Sequence, residues 1–258
     1  MRIIRDKDYV AERQKRAKLS AIFGFLALAG TFPVAFLMQG NSAVVAATYI
    51  LLLGGFVLFN RGMRGVSTWS HNARHARQDM ALDAHLDSLS ERHTLIHYAG
   101  LEGGMVDHVM VVPGGVVVLT TSDFPGEAKC VNDRWQRGGP MLSRMFSFSG
   151  PQLGNPSVAA DKEFAIVERT LEGAGHDVDI YTAIVFTAST ADLEVDGCSH
   201  PVMPVDELSA FIRDIEADPE FSASERDEVI QLLGHTGEVE TVVKTSTRRP
   251  VKVKKRAA

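Results

Sequence analysis

Residues 105–123 read MVDHVMVVPGGVVVLTTSD. Two runs rich in β-branched residues flank Pro113, Gly114 and Gly115, whose glycines accept the positive φ of a tight turn, so the stretch is a β-hairpin. With Gly114 and Gly115 as the loop residues, Pro113 faces Val116, Val109 faces Thr120 and Asp107 faces Ser122. Alternate residues of a strand share a face. Asp107, Thr120 and Ser122 therefore cluster on one side of the sheet, at the end away from the turn, while Asp123 belongs to the other side. Asp107 is an acid inside an otherwise apolar strand. Either it serves a metal or a substrate, or its carboxyl is satisfied by neighbouring backbone and by the Thr120 and Ser122 hydroxyls.

Outward from the hairpin, the pattern predicts an α/β domain. On its amino-terminal side Leu82, Leu86 and Leu89 recur at helical spacing within residues 76–89, and residues 94–98 read as a short strand. On its carboxy-terminal side two short strands are expected at residues 127–131 and 134–137, turning at Asn132 and Asp133. Asn155 and Pro156 open a helix as N-cap and first residue, with Ala160, Phe164, Val167 and Leu171 on one face and a stop near Gly173. Strands follow at residues 179–187 and 202–205. Asp206 starts a helix with Leu208, Phe211, Ile212 and Ile215 inward, and either Ser222, with Glu225 as its capping-box partner, or Ser224 caps the last one.

The front of the chain is of another kind. Residues 19–38 hold twenty residues without a charge and residues 42–59 eighteen more. At ~1.5 Å per residue each covers most or all of a ~30 Å hydrocarbon layer. Only Gln39, Gly40 and Asn41 separate them, so the two form an antiparallel transmembrane hairpin. A signal peptide has an apolar core of only ~7–15 residues, and a soluble helical hairpin would show a polar face; neither description fits. Arg2, Arg5, Lys7, Arg13, Lys15, Arg16 and Lys18 precede the first span, and Arg61, Arg64, Arg74 and Arg77 follow the second, whereas the tip is uncharged. The positive-inside rule then puts both termini in the cytoplasm, in a bacterial-type inner membrane. Gly24, Gly30, Pro33, Gly54 and Gly55 are residues that lipid-embedded helices tolerate.

The net charge of −5 conceals this division. Residues 1–18 carry seven basic and three acidic residues, residues 19–240 carry 13 and 29, and residues 241–258 carry seven and none. A folded domain with so large an acidic excess is poorly suited to gripping a nucleic-acid backbone, whose binding depends on neutralised phosphates. The tail, with Lys244, Arg248, Arg249, Lys252, Lys254, Lys255 and Arg256, has no apolar periodicity and reads as disordered. Tethered near a bilayer, it suits contact with anionic lipid or another polyanion. Cys130 and Cys198 belong to no metal-binding spacing and read as free buried thiols in a reducing compartment. His71 with His75, and His93 with His97, have i,i+4 spacing without the accompanying acids of a metal site. No metal is assigned to any of them.

The hairpin and its surroundings resemble the nuclease-related domain, or NERD, family of the PD-(D/E)xK nuclease superfamily. The resemblance covers residues 74–211. It rests on VDHVMVVPGGVVVLTTSD, on the following Gly126 and Trp135, and on Gly154-Asn155-Pro156 before the next helix. It implies a restriction-endonuclease-like α/β domain with a mixed sheet, behind a membrane hairpin as in bacterial members. It also implies Mg²⁺-dependent phosphodiester hydrolysis, with an Asp and a Glu holding the metal and a Lys helping to activate water. Asp107 matches the family Asp. Thr120 stands where the Glu belongs and Ser122 where the Lys belongs, and Ala159 replaces a Gln of the following helix.

One carboxylate and two hydroxyls are a poor Mg²⁺ site, and losing a general-base partner alone costs a factor of ~10²–10⁴. No catalytic residue, metal or cofactor is therefore expected, and the domain reads as a pseudoenzyme acting as an interaction or scaffold module. The alternative is a membrane-tethered Mg²⁺-dependent nuclease in which Glu127 and Lys129, a Glu-x-Lys on the next strand, join Asp107. The expected layout is a basic flank over residues 1–18, the hairpin over 19–60 and a juxtamembrane segment over 61–75. The α/β domain follows over 76–240 and the disordered tail over 241–258.

Overall fold

The central hairpin forms as β3 (Gly104–Val112) and β4 (Gly115–Ser122) in a computed structural model that describes residues 1–37, 42–69, 77–138, 151–234 and 239–243. The turn differs by one residue from the sequence reading. Val112 faces Gly115 and Val109 faces Val118, so Pro113 and Gly114 are the loop residues and, in that register, Asp107 lies level with Thr120 rather than Ser122. Neighbouring backbone sets the shift. A side chain on Gly115, at φ 140°, would lie 2.3 Å from the Asp179 carbonyl, and one on Gly114 would lie 1.9 Å from the Glu216 carbonyl. A displacement of two in the pairing preserves parity, so Asp107, Thr120 and Ser122 still share a side.

β4 is buried from Gly115 to Thr120, as a continuous apolar run in the middle of a sheet should be. It pairs in parallel with β7 (Ile180–Phe186), and a parallel neighbour requires a crossover, which contains α4 (Pro156–Ala174). Asn155 caps α4 through Val158 N–H, and Gly175, at φ 81°, closes it. β2 (Thr94–Leu101) flanks β3 antiparallel, and β9 (Val202–Pro204) extends the other edge beside β7. β5 (Glu127–Val131), β6 (Arg134–Arg137) and β8 (Asp192–Asp196) make a second, three-stranded sheet. The seven-stranded main sheet is mixed, with order β10-β1-β2-β3-β4-β7-β9.

Helices cover both faces of the main sheet. α3 (Gln78–Leu86) and α5 (Val205–Asp214) bury Leu82, Leu86, Leu208 and Ile212 against Leu95, Met110, Val117 and Leu119. α4 and α6 (Ala223–Leu233) bury Val167, Leu171, Val229 and Leu233 against Ile96, Val109, Val111, Val116 and Val118. A third cluster joins Phe124, Ala128, Ala160, Ile184 and Phe186 where the small sheet meets the large one.

Segments near both ends of the described chain enter the sheet, which the sequence reading did not foresee. β1 (Arg2–Asp6), inside the segment read as a basic flank, runs parallel to β2 and buries Ile3 and Ile4. β10 (Val239–Val243) pairs antiparallel with β1, so the segment read as a disordered tail from residue 241 begins as a strand. The basic residues from Lys244 to Arg256 lie outside the described residues. β8, a strand of alternating acids, was also absent from the sequence reading.

α1 (Lys7–Leu37) leaves β1 without a break, and α2 (Ser42–Trp69) returns to the domain. Both are long and apolar enough to cross a membrane, and only 17% and 6% of their apolar windows are buried. Phe23, Phe32, Phe36, Ile50 and Leu53 all face outward, which is not how the core helices of a water-soluble protein pack. Gly24 and Gly62 are needed by packing, not merely tolerated, whereas Gly30 and Gly54 have open space beside them. A side chain on Gly24 would meet Phe59 N at 2.2 Å, and one on Gly62 would meet Ala21 N at 2.1 Å. Small residues let the two backbones approach.

Candidate functional site

Asp107 sits where strand pairing lapses. β2 and β3 pair at His97 with His108 and again at Ala99 with Val106, but not between them, and Tyr98 there adopts φ 61°. Positive φ is an outlier for a bulky residue and persists only where its surroundings enforce it. The enforcing groups are visible. The Tyr98 ring is 5.3 Å from that of Tyr9, at the root of α1, 5.4 Å from that of Trp69, at the end of α2, and 5.5 Å from that of His108. The sheet is thus distorted where the apolar helical hairpin of α1 and α2 is planted on it.

That distortion brings a second acid to Asp107. Glu163, on the inner face of α4, accepts a hydrogen bond from Thr120 Oγ1 at 2.7 Å and another from the Asp107 backbone amide. Burial, followed by the nearby Asp107 charge, pushes the Glu163 carboxyl up to about 8 despite those bonds. Burial also raises Asp107, opposed by the Arg13 charge from α1. Near neutral pH Glu163 therefore holds its proton.

The donor set does not suit the Mg²⁺ that the family resemblance implies. Thr120 supplies a hydroxyl already spent on Glu163, and the Ser122 hydroxyl accepts from Phe124 N at 3.4 Å. A cation would have to displace the Glu163 proton from a buried site. Glu127 and Lys129 do not join this cluster. They alternate on the small sheet, where Lys129 Nζ meets Glu194 Oε1 at 2.5 Å and Glu127 lies against Gly138. Asp107 has Arg13, Tyr9, Tyr98 and Glu163 around it instead.

A second polar group lies against the opposite face of the sheet, and sequence reasoning missed it. Arg77 grips Asp79 with Nε at 2.6 Å and Nη2 at 2.7 Å, and Arg5 Nε approaches the same carboxylate at 2.9 Å. Arg5 also pairs with Asp83, which faces His97 Nε2 at 3.1 Å, and His97 Nδ1 meets His108 Nδ1 at 2.8 Å. Asp79 is fully buried. Burial would raise its carboxyl, but the Arg77 bonds and the His97 and Arg5 charges outweigh that and hold it low. His108, with Nε2 unbonded, is driven strongly toward the neutral form by burial. Arg5 and Arg77, read from the sequence as topology signals flanking the hairpin, are thus ion-pair partners inside the domain. His97 is tied to His108 across the strands, not to His93, which bonds Ser90.

The cysteines also depart from the sequence reading. Cys130 and Cys198 are not free thiols; they form a disulfide between β5 and the loop after β8, with a Cα–Cα distance of 6.5 Å. The parallel pairing of β5 with β8 is what brings two residues 68 positions apart together. Compared with family models, with curated proteins and with solved structures, the chain matches none.

Proposed function

We propose that the chain is a membrane-anchored protein whose nuclease-related α/β domain faces the cytoplasm and serves as an interaction or scaffold module, not as a phosphodiesterase. The observation that carries this reading is the state of the Asp107 cluster. Thr120 and Ser122 present hydroxyls where the family pattern needs Glu and Lys, and the neighbouring Glu163 is held protonated by burial. The likeness of fold is supported by the Asp-His strand, turn and following strand in β3 and β4, and by Gly154-Asn155-Pro156 at the start of the crossover helix. Anchoring is supported by the outward apolar faces of α1 and α2. Orientation is supported by the basic residues near the roots of the hairpin that lie outside the buried ion pairs, among them Lys15, Arg16, Lys18 and Arg61. Anionic lipid or another polyanion remains the proposed contact of the tail from Lys244 to Arg256.

Full-length protein in detergent, incubated with supercoiled plasmid and Mg²⁺ or Mn²⁺, is expected to nick no faster than its Asp107→Ala variant. Cleavage by the wild type that disappears in Asp107→Ala overturns the proposal in favour of a nuclease.

A further inference from the structure

Asp133 completes a group of three around the cysteine pair. It lies in the tight turn between β5 and β6, where Asn132 at φ 49° and Asp133 at φ 60° both take the left-handed conformation. The turn leans on the loop after β8. Asn132 N–H donates to the Asp196 carbonyl at 3.0 Å, and a side chain on Gly197 would lie 2.7 Å from Asn132 Oδ1. Ser199 donates to Asp133 Oδ1 through its backbone N–H at 3.0 Å and to Oδ2 through its hydroxyl. The two sulfurs and a carboxylate oxygen of Asp133 consequently lie within 4.8 Å of one another.

We propose that Cys130, Cys198 and Asp133 form a binding site for a thiophilic divalent cation such as Zn²⁺, opened by reduction of the disulfide. The site rests on the cytoplasmic orientation proposed above, because a reducing compartment keeps such pairs as thiols. A low-molecular-weight thiol supplies two electrons and two protons. The Sγ–Sγ bond breaks, both cysteines become thiols, and two reductant molecules leave joined as their own disulfide. Cation binding then releases the two cysteine protons to solvent, since the thiolate is the ligand.

The donor chemistry fits. Zinc takes sulfur at ~2.3 Å and carboxylate oxygen at ~2.0–2.2 Å in a tetrahedron, which requires the sulfurs to part by about 2 Å. Cys198 follows Gly197, at φ 65°, in a loop that can supply that movement, while Cys130 stays fixed in β5. The two Ser199 hydrogen bonds fix the orientation of the Asp133 carboxylate, as the surroundings of a metal ligand do. His200 is not a ligand, since its Nδ1 meets the Thr182 hydroxyl at 2.7 Å and its Nε2 meets Asp161 at 2.8 Å. Three protein donors leave a fourth position for water or an external ligand.

The test compares one protein in two redox states. Full-length chain in detergent is either left oxidised or reduced with a dithiol and desalted without oxygen, then titrated with Zn²⁺ against a chromophoric chelator. Reduced protein is expected to take one Zn²⁺ per chain and oxidised protein none. Cys198→Ser should weaken binding at least ~100-fold and Asp133→Asn ~10–100-fold, with unchanged circular dichroism. Reduced wild type that binds no more Zn²⁺ than oxidised protein, or Cys198→Ser that binds as tightly as wild type, overturns the site. Orientation is read separately, from labelling of Asn41→Cys by an impermeant maleimide on intact cells. A labelled tip with no zinc uptake rejects the site alone. Zinc uptake with an unlabelled tip upholds the site and rejects the orientation.

Discussion

Glu163, half-buried, and Asp79, fully buried, are both acids inside the domain, yet their environments push them in opposite directions, and the difference is measurable. The folded-state proton affinity of Glu163 is raised, so its stabilising contribution is complete below the unfolded carboxyl range, near pH 4. It is lost as pH rises through about 8. His108, held neutral, acts in the opposite sense below about pH 6.5, where the unfolded chain takes up its proton. The informative quantity is therefore the difference between wild type and Glu163→Gln. Denaturant midpoints of the full chain should show the variant gaining on wild type from pH 5 to pH 8, by on the order of a few kcal/mol. A constant difference across that range would show that Glu163 does not titrate there. Asp79 has the depressed affinity of an ion-paired acid, so its contribution stands above about pH 4 and is lost only as pH falls through its folded value. Replacing it by Ala leaves the Arg5 and Arg77 charges without their shared partner. The expected loss at pH 7 is about 3–5 kcal/mol, read from urea unfolding.

At the scale of elements, the hairpin offers a matched pair of glycines. Gly62 lies against the Ala21 backbone, whereas nothing comes within 4 Å of a side chain built on Gly54. Gly62→Leu should force α1 and α2 apart and lower the thermal midpoint in detergent by several degrees, and Gly54→Leu should leave it unchanged. Equal effects would mean that the two helices do not pack through the Gly62 face. The same contrast explains what was legible in the sequence. Long periodic or uniformly apolar segments declared themselves: both spans, β3, β4, α4 and β7. Helix α4 also carried the signal for Glu163. Ala160, Glu163, Val167 and Leu171 follow one another by three or four residues, so an acid interrupts the buried stripe much as Asp107 interrupts its strand. By contrast, Arg2–Asp6 is only five residues, charged at both ends, and acquires strand character from its neighbours β2 and β10. β8 alternates acids on an exposed strand, and the cysteine pairing depends on it. Such short elements are fixed by tertiary partners, and no local pattern announces them.

For the whole molecule, the consequence is that hairpin and domain are not separable where the composition changes. The sequence suggests cutting before residue 76, which removes the spans and keeps every helix of the α/β domain. The structure places β1 on the far side of that cut, between β2 and β10. Without it, β2 becomes an open apolar edge, β10 loses its partner, and the cavity beside Met1 and Ile3 is left unfilled. Asp79 and Asp83 lose the Arg5 guanidinium, and Tyr98, at its strained φ, loses the Tyr9 and Trp69 rings that cover it. A fragment spanning residues 76–258 should therefore elute as an aggregate or unfold without cooperativity. Full-length protein in detergent should unfold in a single transition. Adding a peptide of residues 1–6 in excess should restore part of the stability by supplying the missing strand. A monomeric 76–258 fragment with a sharp unfolding transition of its own would show instead that the amino-terminal strand is an accessory to the sheet. Membrane attachment and domain folding would then be independent.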